Sequence, residues 1–232
     1  MPGTPRTRRL RVSPKKEPSQ ARSRQMVRRI LDAALVALTR DGVERFTINH
    51  VAAEARISVA SVYQFFPNKQ AIIYRLYQDW LAEVTARLDA AIEAGREDDW
   101  RSFAARLADT LSGYAADPDA EHELVRAMWS HRELHALDRE HSRALSSRVA
   151  AEMRRFGSTW PRPRLERLAL FANELFTLVA ERSGLGGGED RALLAEFARL
   201  AYVQLWAAAF EPQAATRKVA RRRRAQRAST GS

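Results

Sequence analysis

The stretch from Thr47 to Lys69, TINHVAAEARISVASVYQFFPNK, constrains this chain more than any other. It divides into two short pieces around Arg56-Ile57-Ser58. In the first, Thr47 is placed to cap a helix, its hydroxyl accepting a backbone N–H of the first turn. Val51, Ala52 and Ala55 then share one face at 3/4 spacing. In the second, Ser58 is again a good N-cap, Val62, Phe65 and Phe66 supply apolar anchors, and Pro67-Asn68 stops the helix. Two short helices joined by a tight turn, with small residues between them, predict a helix-turn-helix whose second helix enters a DNA major groove.

The sequence on either side is helical in pattern. Upstream, Met26, Val27, Ile30, Leu31, Ala34, Leu35 and Leu38 recur at 3/4 spacing from about Arg22, and Asp41-Gly42 ends the run. This helix is expected to pack on the two short ones and complete a three-helix domain. Its basic face, Arg24, Arg28 and Arg29, is either placed near phosphate or simply solvated. Downstream, Gln70 to Ala94 carries the stripe Ile72, Ile73, Leu76, Tyr77, Trp80, Leu81, Val84 and Leu88 before Gly95. A helix this long outruns a small domain, so it is expected to continue into a second one and link the two mechanically. Further helices are expected near Trp100–Ala116, Asp119–Leu134, Asp138–Phe156, Arg164–Ser183 and Asp190–Phe210, with breaks at Asp117-Pro118, Gly157 to Pro163 and Gly184 to Gly188. No stretch alternates like a strand. The expected fold is all-α, with a helix-turn-helix domain over 22–69 and a larger helical domain over 70–210.

The flanks differ from this body. Residues 1–21 hold Pro2, Pro5, Pro14 and Pro18 among many Arg and Ser, a composition that favours disorder. Of the net charge of +11, +7 falls in residues 1–24 and +6 in residues 211–232, leaving −2 for residues 25–210. The basicity thus belongs to two arms, 1–21 and 211–232. Such arms suit a phosphate backbone or an anionic membrane, or are plain solvated tails. The chain has no cysteine, which excludes disulfides and thiolate metal sites. No run of about 18 apolar residues is present to span a membrane. The basic N-terminus lacks the apolar segment of a signal peptide, so a cytoplasmic protein without a membrane partner is expected.

Within the larger domain, Arg164–Ser183 and Asp190–Phe210 are apolar on more than one stripe. A helix of that kind either lies deep in a core or faces a partner. A two-fold homodimer through this pair is expected, with Leu168, Ala172, Phe176, Phe197, Leu200, Ala201 and Gln204 as candidate interface residues. The aromatics Trp100, Phe103, Tyr114, Trp129 and Phe171, with Met128 as an adaptable wall, either line a ligand cavity or pack a core. His131, His135, Asn173 and Glu174 are the candidate polar contacts of such a cavity.

Other constellations carry little chemistry. His131 and His135 have the spacing of a metal pair but lack a clear third ligand, so no metal and no cofactor is expected. Gly184-Leu185-Gly186-Gly187-Gly188 follows a helix and lacks the strand and the Lys-Ser/Thr of a phosphate loop. No nucleophile–base spacing or carboxylate pair points to an enzyme.

Several spaced elements of the first 70 or so residues agree, in order, with one known pattern. These are a helix ending in Asp41-Gly42, then Phe46-Thr47-Ile48, Val51-Ala52, Ile57-Ser58, Ala60-Ser61-Val62-Tyr63, Phe66, and Asn68-Lys69 opening the next helix. The chain resembles the DNA-binding domain of TetR-family transcriptional regulators. Beyond residue 95 the likeness rests on helix number and length. The resemblance implies a homodimeric DNA-binding regulator, a repressor released from an operator by a small-molecule effector bound in the C-terminal domain. It also implies site roles. Thr47 caps its helix and contacts a phosphate. Asn49 touches phosphate or a base edge. Ser58 belongs to the same contact set, and Val59, Ala60 and Ser61 open the recognition helix toward the bases. Tyr63 and Gln64 reach the backbone or nearby bases, and Lys69 meets a phosphate. Three positions depart from the family pattern. Arg56 stands where a turn glycine is usual, at a strain of about 1 kcal/mol if left-handed. Ala60 replaces another common glycine, and Phe65 replaces a phosphate-contacting His or Tyr. The alternative from a different class is a basic-tailed helical protein that binds nucleic acid or anionic surfaces without sequence choice.

Overall fold

The first long helix, α1 (Ala21–Arg45), carries one buried stripe: Ile30, Leu31, Ala34, Ala37 and Leu38. Gly42 interrupts it with φ 74 and ψ 158, a conformation only glycine adopts without strain. A short turn over 43–45 follows, closed by the Phe46 N–H donating to the Gly42 carbonyl at 3.0 Å. The structure, a computed structural model, describes residues 21–112, 118–182 and 188–210, and every regular element among the described residues is a helix. After α1 come α2 (Ile48–Glu54), α3 (Val59–Phe65) and α4 (Lys69–Ala94). The larger half adds α5 (Trp100–Ser112), α6 (Pro118–Ser130), α7 (Arg132–Arg155), α8 (Arg162–Arg182) and α9 (Gly188–Ala208). The expected all-α class is the observed one.

Two apolar cores hold these helices. The first joins Ile30 and Leu38 of α1, Val51 of α2, Val62 of α3 and Ile72, Ile73 and Tyr77 of α4. It also takes in Leu124, Val125, Ala127 and Met128 of α6, which packs along α1. The three N-terminal helices therefore do not close their own core; a helix of the larger half supplies a wall. The second core joins Val84 and Leu88 of α4, Phe103 and Leu107 of α5, and Val149 and Met153 of α7. Leu165 and Phe176 of α8 and Tyr202 and Trp206 of α9 complete it. The first half of α4 thus belongs to one core and its second half to the other, which makes α4 a stiff strut between them.

One helix boundary differs from expectation. The chain breaks at His131, where the backbone is extended (φ −132, ψ 116), and not between Leu134 and Asp138. No glycine or proline marks the place. The His131 ring, through Nδ1, lies 3.0 Å from the Ala127 carbonyl, so the side chain occupies the carbonyl end of α6. The two basic arms, Tyr114 and the glycine-rich loop up to Gly187 lie outside the described residues.

Candidate nucleic-acid interface

The helix-turn-helix is built by three side-chain caps. Thr47 Oγ1 accepts the His50 N–H at 3.3 Å, Ser58 Oγ accepts the Ser61 N–H at 3.1 Å, and Asn68 Oδ1 accepts the Ala71 N–H at 2.8 Å. Each satisfies one of the donors that a helix start leaves unpaired. The turn between α2 and α3 is a Schellman motif. The Arg56 N–H donates to the Ala53 carbonyl at 3.1 Å and the Ile57 N–H to the Ala52 carbonyl at 3.0 Å. Arg56 takes the left-handed position with φ 52, the strained conformation that its place in the sequence implied. Ile57 covers the turn from below by packing on the first core.

Burial then orients α3. Val62 is fully buried, and Phe66, immediately after the helix, is buried too. Val59 and Phe65 are half-buried against the same core. The outward edge consists of Ser58, Ala60, Tyr63 and Gln64, with the Tyr63 side chain 45% exposed. Ser61 is half-buried, its hydroxyl 2.7 Å from that of Ser58, so the two share one hydrogen bond. Thr47 and Asn49 are exposed at the start of α2. Of the expected set, Thr47, Asn49, Ser58, Ala60, Tyr63 and Gln64 are exposed, while two others are engaged within the protein. Val59 leans on the core, and the Lys69 ammonium donates to the Phe46 carbonyl at 3.1 Å, tying α4 to the entry of α2.

Charge around this edge is partly neutralised within the protein. The Arg40 guanidinium holds both Asp41 and Glu54, joining the end of α1 to α2. That hydrogen bonding lowers the Asp41 carboxyl below its ordinary range and raises Arg40. Arg24, Arg28 and Arg29 stand exposed along α1.

The larger half offers a cavity of about 420 Å³ among α6, α7 and α8. Met128, Trp129, His135 and Glu174 of the expected set line it, together with Asp138, Leu170 and Thr177. The Trp129 and His135 rings meet edge to face at 4.8 Å. Asp138 accepts the Tyr77 hydroxyl of α4 at 2.8 Å, and burial pushes that hydroxyl far above the ordinary range of a phenol. Trp100 and Phe103 do not belong to this cavity. Trp100 stacks on Phe210 at 4.8 Å, and Phe103 is a fully buried member of the second core, 5.6 Å from Trp206. His131 caps α6, Phe171 is exposed, and the Asn173 amide atoms are buried beside the wall without a hydrogen-bond partner among the described residues. No group of three potential metal ligands occurs among the described residues.

Between α8 and α9 the outer surface is apolar. Phe197 is 55% and Leu200 51% exposed, and Phe171, Leu178, Leu193 and Leu194 are exposed as well. Gln204 is exposed on the same stripe, with Ala201 and Leu168 half-buried beside it. Ala172 and Phe176 correct the expectation. Both face the protomer's own core, Phe176 against Tyr202 at 5.5 Å, because the 3/4 spacing of α8 supports two faces and they fall on the inner one. No helix among the described residues is long and apolar enough to cross a membrane.

Residues 30–76, which span this capped unit, match the model for bacterial regulatory proteins of the tetR family. Over that stretch the chain is similar to the DNA-binding domain of TetR-family regulators. An 80-residue segment, 34% of the chain, is 29% identical to the HTH-type nicotine-responsive transcriptional repressor HdnoR of Paenarthrobacter nicotinovorans. That match spans 40% of the repressor's length. Among solved structures, a protein of unknown function from Rhodococcus sp. RHA1 is 25% identical with a TM-score of 0.62, over 80% of this chain and 96% of that one. A TetR transcription regulator from Haloarcula marismortui shares the fold at 16% identity and a TM-score of 0.66, over 80% and 98% of the two chains. TetR-family regulators are DNA-binding proteins rather than enzymes, and the whole described body of this chain, not only its first 70 residues, has their fold.

Proposed function

We propose that the chain is a sequence-selective transcriptional regulator that acts as a homodimer in the cytoplasm and represses from an operator. The observation that carries this reading is the exposed edge of a short helix fixed on all other sides. Ser58, Ala60, Tyr63 and Gln64 face outward while Val62 and Phe66 lock the helix from behind. A side chain held this rigidly can discriminate base edges, whereas basic arms alone bind any duplex. Gln64 supplies hydrogen bonds and Ala60 an apolar contact suited to a thymine methyl. Thr47, Asn49 and Lys69 suit the phosphates on either side.

The stripe through Leu193, Phe197 and Leu200 pairs two copies, giving two recognition helices for a palindrome. A small-molecule effector occupies the cavity among α6, α7 and α8, where an apolar wall of Met128, Trp129 and Leu170 meets the polar groups of His135, Asp138 and Glu174. It releases DNA by binding the two states unequally. The test is binding to DNA flanking the protein's own gene against random DNA at about 150–200 mM salt. Selective retention is expected; equal affinity contradicts the proposal and favours tail-driven binding. Any compound that releases the DNA is expected to lose that effect when Leu170→Trp fills the cavity.

A further inference from the structure

The turn that leads from α1 into α2 is capped from 80 residues away. Gly42 is the residue before the turn over 43–45, and it has no side chain with which to satisfy the free N–H groups that any helical turn begins with. The Val43 N–H is instead accepted at 2.8 Å by Oε2 of Glu123 on α6. Glu123 is 8% exposed, the one buried acidic residue among the described residues. Its other oxygen accepts from Arg126 at 3.1 Å, and the same guanidinium reaches Glu44, within the turn, at 3.1 Å. A buried carboxylate that lost these partners would be costly, so the arrangement fixes both sides of the contact.

Glu123 also stands on a helix that touches both functional regions. Its neighbours Leu124, Val125 and Ala127 wall the first core against α1, and Met128 and Trp129, on the last turn of α6, line the cavity. The helix then stops at His131. The separation of Glu123 and Met128 is about 7.5 Å along a helix axis, so a displacement at the cavity is carried to the carboxylate with little loss.

We propose that Glu123 is a positioning residue for the DNA-binding unit: it caps the Val43–Arg45 turn in trans and so sets the attitude of α2 and α3 according to the position of α6. The consequence for DNA rests on the regulator reading given above; the cap itself does not.

The experiment uses the full chain with Glu123→Gln and Glu123→Ala. Amide exchange is followed at 43–46, with α8 as an internal reference. Loss of a cap is expected to speed exchange at 43–46 about tenfold in the alanine variant. The glutamine variant keeps an oxygen for the Val43 N–H and is expected to restore most of the protection. Unchanged exchange in Glu123→Ala overturns the proposal. So does an equal acceleration in α8, which would mark general destabilisation. Because the chain has no cysteine, Ala53→Cys on the exposed side of α2 carries a single spin label per protomer. In the dimer, the inter-label distance distribution is expected to shift and broaden in Glu123→Ala and to return in Glu123→Gln. Identical distributions in all three proteins overturn the transmitted part. If the unsubstituted protein shows no inter-label distance, the dimer reading fails, and the exchange measurement still decides the cap.

Discussion

Two surfaces of this molecule are exposed in opposite ways. The edge of α3 is small and mostly polar, with Val59, Val62 and Phe65 turned inward and Ala60 and Tyr63 left exposed. The face of α8 and α9 exposes Phe171, Leu178, Leu193, Phe197 and Leu200 even though a full core lies directly beneath it. The first surface resembles ordinary solvated protein, and its importance lies in how rigidly three caps and two anchors hold it. The second is costly to leave in water, and its importance lies in the area it would bury. One suits a polar, charged partner and the other an apolar one, which is why the proposed function gives DNA to the first and a second copy of the chain to the second.

Substitutions that separate the two surfaces test this contrast. The largest effect is expected from Phe197→Asp combined with Leu200→Asp. Both side chains are exposed, so helicity should persist while sedimentation reports a monomer. Affinity for a palindromic site should fall by about a hundredfold or more, since the second half-site is no longer bound intramolecularly. A dimer that survives both charges breaks the contrast. Ala60→Asp should do the converse, leaving the dimer intact. A carboxylate brought toward phosphates is expected to weaken duplex binding on the order of a hundredfold. Removal of residues 1–20 and 211–232 is a milder change. The dependence of affinity on salt should flatten while preference for the selected site survives. Smallest are the changes inside the turn and cap. Arg56→Gly relieves a left-handed arginine and should stabilise by ~1 kcal/mol, a rise of about 2–4 °C in thermal unfolding at this size. Thr47→Ala should lower stability by ~1 kcal/mol.

The same contrast explains what was legible in the sequence. The α2–α3 unit is written in local signals, namely Thr47, Ser58 and Asn68 as caps and Val51, Val62 and Phe66 as anchors. Local signals survive translation into structure, and even the strain at Arg56 could be anticipated. The larger half is written in apolar stripes, which state that a face is covered but not by what. Phe103, expected at a cavity, fills a core, and Phe176, expected at an interface, faces Tyr202. The break at His131 depends on a side chain reaching its own helix end, with no glycine or proline to announce it. The Glu123–Val43 bond and the Tyr77–Asp138 bond join residues 80 and 61 positions apart, and nothing in a single sequence pairs them.

The central claim is that two rigid recognition edges, paired through the apolar face, read one palindrome. Selection of bound duplexes from a random pool tests it most directly. The expected result is enrichment of an inverted repeat whose half-site centres lie about 34–36 Å apart, or a multiple of that, along the duplex. A bound pool with no enriched sequence, or with an unpaired single half-site, would contradict it.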